Sequence, residues 1–187
     1  LKTIILGEGI RKIPDSSFKG IGGLANVVMG SAVTNIGPNA FHACPAVVNF
    51  QPLFPVGIQY LGTDAMRKCG TQPNATLVLD NGKKNIAFAA QNLFFESNNS
   101  ISNMIVGTGV TALPANFLKS GSRKLTEAVF KGYTTWSSTT FGTCEAYKSR
   151  FIVSNASEQW NTWYSNAGNV KPWSECGSNT NTYWSTF

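Results

Sequence analysis

The chain has 187 residues, of which 42% are hydrophobic and only 13% are charged. Soluble proteins usually carry about 25% charged residues, and the apolar content is too high for a disordered tail. The sequence has no apolar run of roughly 18 residues, which excludes an ordinary membrane-spanning helix. A single histidine also argues against a histidine-dependent enzyme.

The positive charge is scattered rather than concentrated. Fifteen Lys and Arg against nine Asp and Glu give a formal net charge of +6. The cations occur as single residues and pairs such as Arg11-Lys12 and Lys83-Lys84. Nucleic-acid-binding proteins concentrate their cations and interleave them with stacking aromatics. The pattern therefore indicates solvated loop charges, and we expect no nucleic-acid partner.

A repeat of about 23 residues begins at the first residue. Leu1, Ile4, Ile10, Ile13 and Phe18 recur as Leu24, Val27, Val33, Ile36 and Phe41. Four further units follow, with insertions at Phe54–Pro55 and Asp80–Gly82, so that about six units reach residue 147. A unit of this size cannot bury its own apolar face, so neighbouring units must stack into a solenoid. Because Leu1 already lies within a unit, we expect the chain to come from a longer precursor.

Each unit begins with a segment of the form LxxIxL, which alternates with the period of a β-strand. The side chains at its fourth and sixth positions are predicted to point into the core, and those at its third and fifth positions are predicted to point outward. Successive strands should pair in parallel about 4.8 Å apart and form one sheet along the stack. The rest of the unit, such as Ile36–Phe41, predicts a tight turn and a short helical turn, with the Phe filling the core between coils.

The pattern IxxIPxxAFxxCxxLxxI resembles the BspA-type leucine-rich repeats of bacterial surface proteins. The best matches are Ile10–Phe18 and Val33–Cys44, and the resemblance covers residues 1–147. It implies a right-handed solenoid on a secreted or cell-surface protein that is used for adhesion or for binding host or bacterial surface proteins. It identifies no catalytic residue. Pro52 and Phe54–Pro55 depart from the pattern in the third strand region.

Residues 148–187 are predicted to end the stack. Phe151–Val153 indicates a seventh short strand. Asn155 and Glu158 form a capping-box pattern, and Trp160, Trp163, Tyr164 and Ala167 share one helical face before Gly168. We expect this helix to cover the last coil. The repeat is lost over residues 169–187, where Asn, Ser, Thr and aromatic residues dominate.

The outward strand positions form the candidate protein-binding surface. An apolar strip of this kind often marks a contact surface, although Val and Ile also favour strands for packing reasons alone. The third-position column comprises Thr3, Asn26, Asn49, Thr76, Asn103 and Glu127, and the fifth-position column comprises Ile5, Val28, Gln51, Val78, Ile105 and Val129.

A carbohydrate-binding module is the alternative function. Aromatic faces suit pyranose rings, so Trp160, Trp163 and Tyr164 are the candidate glycan-binding residues. The same helical spacing is more typical of side chains that cover an exposed core.

No constellation in the sequence supports catalysis, a metal site or a cofactor. His42 precedes Cys44 on a turn and is interpreted as a loop residue, because it has no second ligand clustered beside it. Cys44, Cys69 and Cys144 occupy one column of the repeat and are predicted to be buried thiols, although spacing does not exclude a disulfide. Thiol catalysis would require a base that only His42 could supply.

Overall fold

A computed structural model describes residues 1–51, 55–70, 75–80, 85–89, 101–115, 117, 127–132, 134–135, 150–153 and 184–186. Within these residues the chain forms a stack of coils whose strands are short and pair in parallel. The twelve strands are β1 (Thr3–Leu6), β2 (Lys12–Ile13), β3 (Asn26–Met29), β4 (Asn35–Ile36), β5 (Asn49–Gln51), β6 (Tyr60–Leu61), β7 (Ala75–Leu79), β8 (Ala87–Phe88), β9 (Ile101–Val106), β10 (Glu127–Phe130), β11 (Arg150–Val153) and β12 (Trp184–Thr186).

The LxxIxL segments form the first side of the coil, as predicted. β1, β3 and β5 make one parallel ladder, and β7, β9, β10, β11 and β12 make a second one. The registers match the sequence columns: Thr3 lies opposite Asn26, and Thr76 lies opposite Asn103 although 27 residues separate them. The pairing shifts by one residue between Ala75 and Thr76, since Ala75 lies opposite Ile101.

The sequence predicts that the strands of the first side form one continuous sheet, and this prediction is wrong. Among the described strands β5 does not pair with β7, so the ladder is divided there. The division follows Gln51, where Pro52 stands next in the sequence and has no N–H group to donate to a ladder. The smaller strands β2, β4, β6 and β8 form a second sheet that continues past this point, because β6 pairs with β8.

The return segments at residues 15–20, 38–43 and 63–68, here called the turn edge, consist of turns and not of helical turns in the described chain. Ser16, Asn39 and Asp64 occupy one position in three coils, and all have φ between 55° and 58°. Left-handed residues interrupt a helical run. Gly20, Ala43 and Lys68 share a second such position, with φ of 75°, 58° and 54°.

Left-handed backbone turns the amides of the turn edge toward the next coil. Ser16 N donates to Pro38 O at 2.9 Å, Phe18 N to Ala40 O at 2.8 Å and Gly20 N to His42 O at 2.8 Å. The same three bonds recur one coil later, from Asn39 to Thr63, from Phe41 to Ala65 and from Ala43 to Arg67. In a helix these amides would bond within their own segment. The third side of the coil is therefore also a backbone ladder.

The core lies inside the coil and repeats with it. Phe41 and Met66 are fully buried at equivalent positions, and the ring of Phe18 stacks on that of Phe41 with centroids 5.2 Å apart. This confirms, for the first three units, that the residue at this position fills the space between coils. The first-sheet positions that point inward are also buried: Ile4, Val27, Met29, Leu77, Leu79, Met104, Val106, Ala128 and Phe130.

The end of the chain confirms one prediction and adds a strand that the sequence did not indicate. β11 pairs in parallel with β10, with Ala128 opposite Phe151, which is the predicted seventh strand. β12 pairs in parallel with β11, with Phe151 opposite Trp184. The predicted helix at residues 155–168 lies outside the described residues.

Coil spacing predicts that a methyl group at Gly62 destabilises the protein. A Cβ there would lie against Pro38 N and 2.6 Å from the carbonyl carbon of Gly37, which are backbone atoms that cannot move aside. Gly62→Ala should lower the free energy of unfolding by about 1–3 kcal/mol. Gly7→Ala is the matched control, because a Cβ at Gly7 meets no atom within 4 Å. Equal losses in a denaturant titration of the two variants would contradict the close coil contact.

The left-handed position at Ala43 predicts a stabilising substitution. Its φ is 58°, a conformation that costs a residue with a Cβ about 1–2 kcal/mol. Ala43→Gly should therefore raise the free energy of unfolding by about 0.5–1 kcal/mol after the entropy of the unfolded chain is included. Ala32→Gly, at a position without positive φ, should instead lower it by a similar amount. Chemical denaturation distinguishes the two signs.

Candidate binding surfaces

The strand face is the outward side of the first sheet, formed by the third-position and fifth-position columns. Hydrogen-bonded register aligns Thr3, Asn26 and Asn49 in one row, and Ile5, Val28 and Gln51 in the next. In the second ladder the corresponding rows are Thr76, Asn103 and Glu127, and Val78, Ile105 and Val129. The structure thus brings all twelve predicted residues into two parallel rows, which the break after β5 divides.

The exposure of these rows is uneven. Ile5 is 73% exposed and Val78 is 37% exposed. Val28, Ile105 and Val129 are half-buried because adjacent strands cover part of each side chain. The polar row is partly satisfied within the protein: Asn26 Nδ2 donates to Thr3 Oγ1 at 3.3 Å, and Asn103 Nδ2 donates to Ser102 Oγ at 3.1 Å.

The strand face is almost uncharged. Glu127 is the only charged residue of either column. The face therefore offers methyl groups beside hydroxyl and amide groups. Such a surface suits a partner with an apolar and uncharged contact area, because an ionic partner would lose hydration without gaining an opposite charge.

Two carboxylates at the corner after the first sheet bind residues of other coils. Glu8 accepts hydrogen bonds from the Ser31 hydroxyl at 2.6 Å and from its backbone N–H at 2.9 Å. These bonds hold the pKa of Glu8 below its usual value. Asp80 reaches Lys131, two units away along the stack, at 2.7 Å. Gly107 lies between them, and a Cβ there would meet Asp80 Oδ1. Both carboxylates therefore have structural roles.

The cysteines lie in the core, as predicted for the part of the column that the structure describes. Cys44 and Cys69 are buried free thiols, and Cys44 Sγ donates to Phe18 O at 3.0 Å. Burial raises the pKa of both thiols. They are therefore neutral at physiological pH, which is the wrong state for a nucleophile. Cys144 and Cys176 lie outside the described residues.

A cluster of charged side chains surrounds His42 on the turn edge. The pKa of His42 is lowered by burial and then by Lys19 and Arg67, whereas Asp64 raises it. Arg67 Nη1 contacts Asp64 Oδ2 at 3.3 Å. His42 is half-buried, and its Nδ1 is buried without a hydrogen-bond partner among the described residues. Sequence reasoning treated His42 as an isolated loop residue and missed this cluster, although spacings of 23 and 25 residues align Lys19, His42 and Arg67.

An apolar cleft of about 430 Å³ lies beside β8. Among its described lining residues only Thr111 has a polar side chain; these residues are Ile86, Phe88, Thr111, Ala112, Leu113, Pro114 and Ala115. The described residues also hold no group of three or more His, Cys, Asp or Glu side chains that could bind a metal ion. The candidate glycan-binding residues Trp160, Trp163 and Tyr164 lie outside the described chain.

Comparison with known proteins decides the family. Six copies of the BspA type Leucine rich repeat region match residues 11–148. The chain belongs to the BspA-type leucine-rich repeat family. The match and the parallel ladders together confirm the predicted leucine-rich repeat solenoid. No curated protein and no solved structure gives a significant match to the chain.

Membership of the BspA-type family indicates a general kind of function. Leucine-rich repeats generally serve as non-catalytic scaffolds for protein–protein interaction, and BspA-type repeats are often surface-associated in bacteria. In the part of the chain that the structure describes, no helix is both long and apolar enough to cross a membrane.

The environment of His42 predicts that the protein loses stability in mild acid. Its folded-state pKa is lowered, so the unfolded chain binds the proton more readily. Stability should be complete above the ordinary histidine pKa of about 6.5 and should decline as pH falls below it. His42→Gln should remove this decline between about pH 7.5 and pH 5.5, because the chain has one histidine. Thermal melts of both proteins across this range provide the measurement, and parallel curves would contradict the prediction.

Proposed function

We propose that this chain is a binding module of a bacterial cell-surface or secreted protein, and that its strand face contacts a host or bacterial surface protein in adhesion. The observation that carries the proposal is the two-row, nearly uncharged strand face with exposed Ile5 and Val78. The module requires no cofactor, because recognition by such a face depends on shape and apolar contact.

The architecture supports recognition by a rigid face. Backbone ladders hold Thr3, Asn26 and Asn49 in register, so a partner meets side chains at fixed intervals of about 4.8 Å. A face ordered before binding loses little conformational entropy when a partner docks. The adhesive role and the surface location are supported by the family, whose repeats are often surface-associated.

Charge placed on the strand face should abolish binding. Ile5→Glu and Val78→Glu alter exposed side chains, so the fold should tolerate both. A carboxylate in an apolar contact should cost about 2 kcal/mol or more, which is roughly a 30-fold loss of affinity. Binding is measured by surface plasmon resonance against a panel of purified, immobilised extracellular-matrix proteins. Any protein that binds the wild type is then tested with each variant.

Val56→Glu is the matched control. Val56 is 72% exposed, close to the value for Ile5, but it lies in the turn before β6 and not on the strand face. The Val56→Glu variant should bind the partner protein with the affinity of the wild type. If Val56→Glu weakens binding as much as the two strand-face variants, a general effect of negative charge explains the loss. If all three variants bind normally, the partner uses another surface and the proposal is wrong.

A further inference from the structure

Three basic side chains are stacked along the turn edge. Lys19, His42 and Arg67 occupy the same position of three successive coils. Backbone bonds fix their alignment: Gly20 N donates to His42 O at 2.8 Å, and Ala43 N donates to Arg67 O at 2.9 Å. Neighbouring members of the row are thus about one coil apart, close to 4.8 Å between backbones.

The electrostatic potential at the centre of the row is positive. Lys19 and Arg67, on the two coils that flank His42, both lower the pKa of its imidazole, and Lys68 does the same. Asp64 opposes them and contacts Arg67 at 3.3 Å, so the excess positive charge comes from Lys19 and Lys68. A row of like charges at this spacing is unfavourable in the free protein and becomes favourable when an anion lies along it.

The chain separates its charges from its candidate protein-binding face. Lys19 is exposed on the turn edge, whereas Glu127 is the only charged residue in the two strand-face columns. The aromatic residues next to the row in the sequence, Phe18 and Phe41, stack on each other; Phe41 is fully buried and Phe18 is half-buried. They are unavailable to stack on nucleic-acid bases, which is a main requirement for binding single strands. The row therefore favours a ligand that is anionic but not aromatic.

We propose that Lys19, His42 and Arg67 form a second binding surface, which takes a linear acidic polysaccharide with its sulfate or carboxylate groups along the turn edge. This surface is distinct from the strand face and does not depend on the protein-binding function. A linear ligand can follow the row, since its anionic groups recur along its chain and the three basic residues recur along the turn edge. Arg67 has a second role in holding Asp64, so Lys19 is the residue of choice for substitution.

Binding at this surface should depend on pH. An anion beside His42 favours the imidazolium, so affinity should rise as pH falls through the histidine range. Lys19, Arg67 and Lys68 oppose protonation in the free protein and Asp64 assists it, so most of the gain should come below the ordinary pKa of about 6.5. The chain contains no other histidine, so no other side chain is expected to produce this change.

The first experiment compares Lys19→Gln with Lys12→Gln. Both lysines are exposed on the first coil, and both substitutions change the net charge equally, but Lys12 lies on the second sheet. Affinity is measured by isothermal titration calorimetry at low salt for heparin, which carries sulfate, and for polygalacturonate, which carries only carboxylate. Lys19→Gln should weaken binding about fivefold, and Lys12→Gln by less than about twofold.

The second experiment measures the wild type and His42→Gln at about pH 7.5 and about pH 5.5. Wild-type affinity should increase several-fold at the lower pH, and the variant should show no increase. A merely structural role for His42 would alter the melting temperature without removing this pH dependence. The two polysaccharides identify whether sulfate or carboxylate is preferred.

Several outcomes would overturn the proposal. Equal losses for Lys12→Gln and Lys19→Gln would mean that only the net charge of the protein matters. Tighter binding of duplex DNA than of either polysaccharide, with the same dependence on Lys19, would assign the row to nucleic acid. Absence of measurable binding to both polysaccharides at low salt would exclude the site.

Discussion

The first three coils pair their backbones with one another on three sides, and the rest of the structure depends on this constraint. The two sheets meet it with parallel strand ladders, and the turn edge meets it with N–H groups such as those of Phe18 and Phe41, which donate to the next coil. Unpaired buried N–H and C=O groups are costly, so the coils cannot drift apart at any corner. This explains why Gly62, where two coils approach closely, has no room for a methyl group.

The solenoid tolerates insertions because the two sheets are not interrupted between the same two coils. The first sheet is divided between β5 and β7, but β6 and β8 pair across the same pair of coils. Beyond β8 the first sheet continues through β9, β10 and β11. Each coil is therefore joined to its neighbour by at least one strand pair in the described chain. Longer corner loops can be accommodated without loss of register, as the alignment of Thr76 with Asn103 shows.

The apolar columns were predictable because burial leaves a periodic pattern, and they gave the register of Val78 with Ile105 and of Met104 with Ala128. The turn edge was not predictable in the same way. Its left-handed positions hold residues as different as Ser16, Asp64 and Ala43, since backbone geometry and not side-chain chemistry selects them. β12 was missed because it follows β11 at a spacing unlike that of the repeat. The break after β5 lay where Pro52 already departed from the pattern.

The stacking that aligns apolar side chains also determines where charge can be placed. On the strand face, side chains of adjacent strands partly cover each other, as the half-buried Val28 and Ile105 show, and a row of charges would repel and lose hydration there. On the turn edge Lys19 is exposed, so solvent screens its repulsion from the cations of neighbouring coils. His42 differs from Lys19, because it is half-buried and lies between two cations. A positive charge on His42 is therefore costly in the free protein. For this reason an anion bound beside His42, or a proton added to it, should change the energy of the protein strongly.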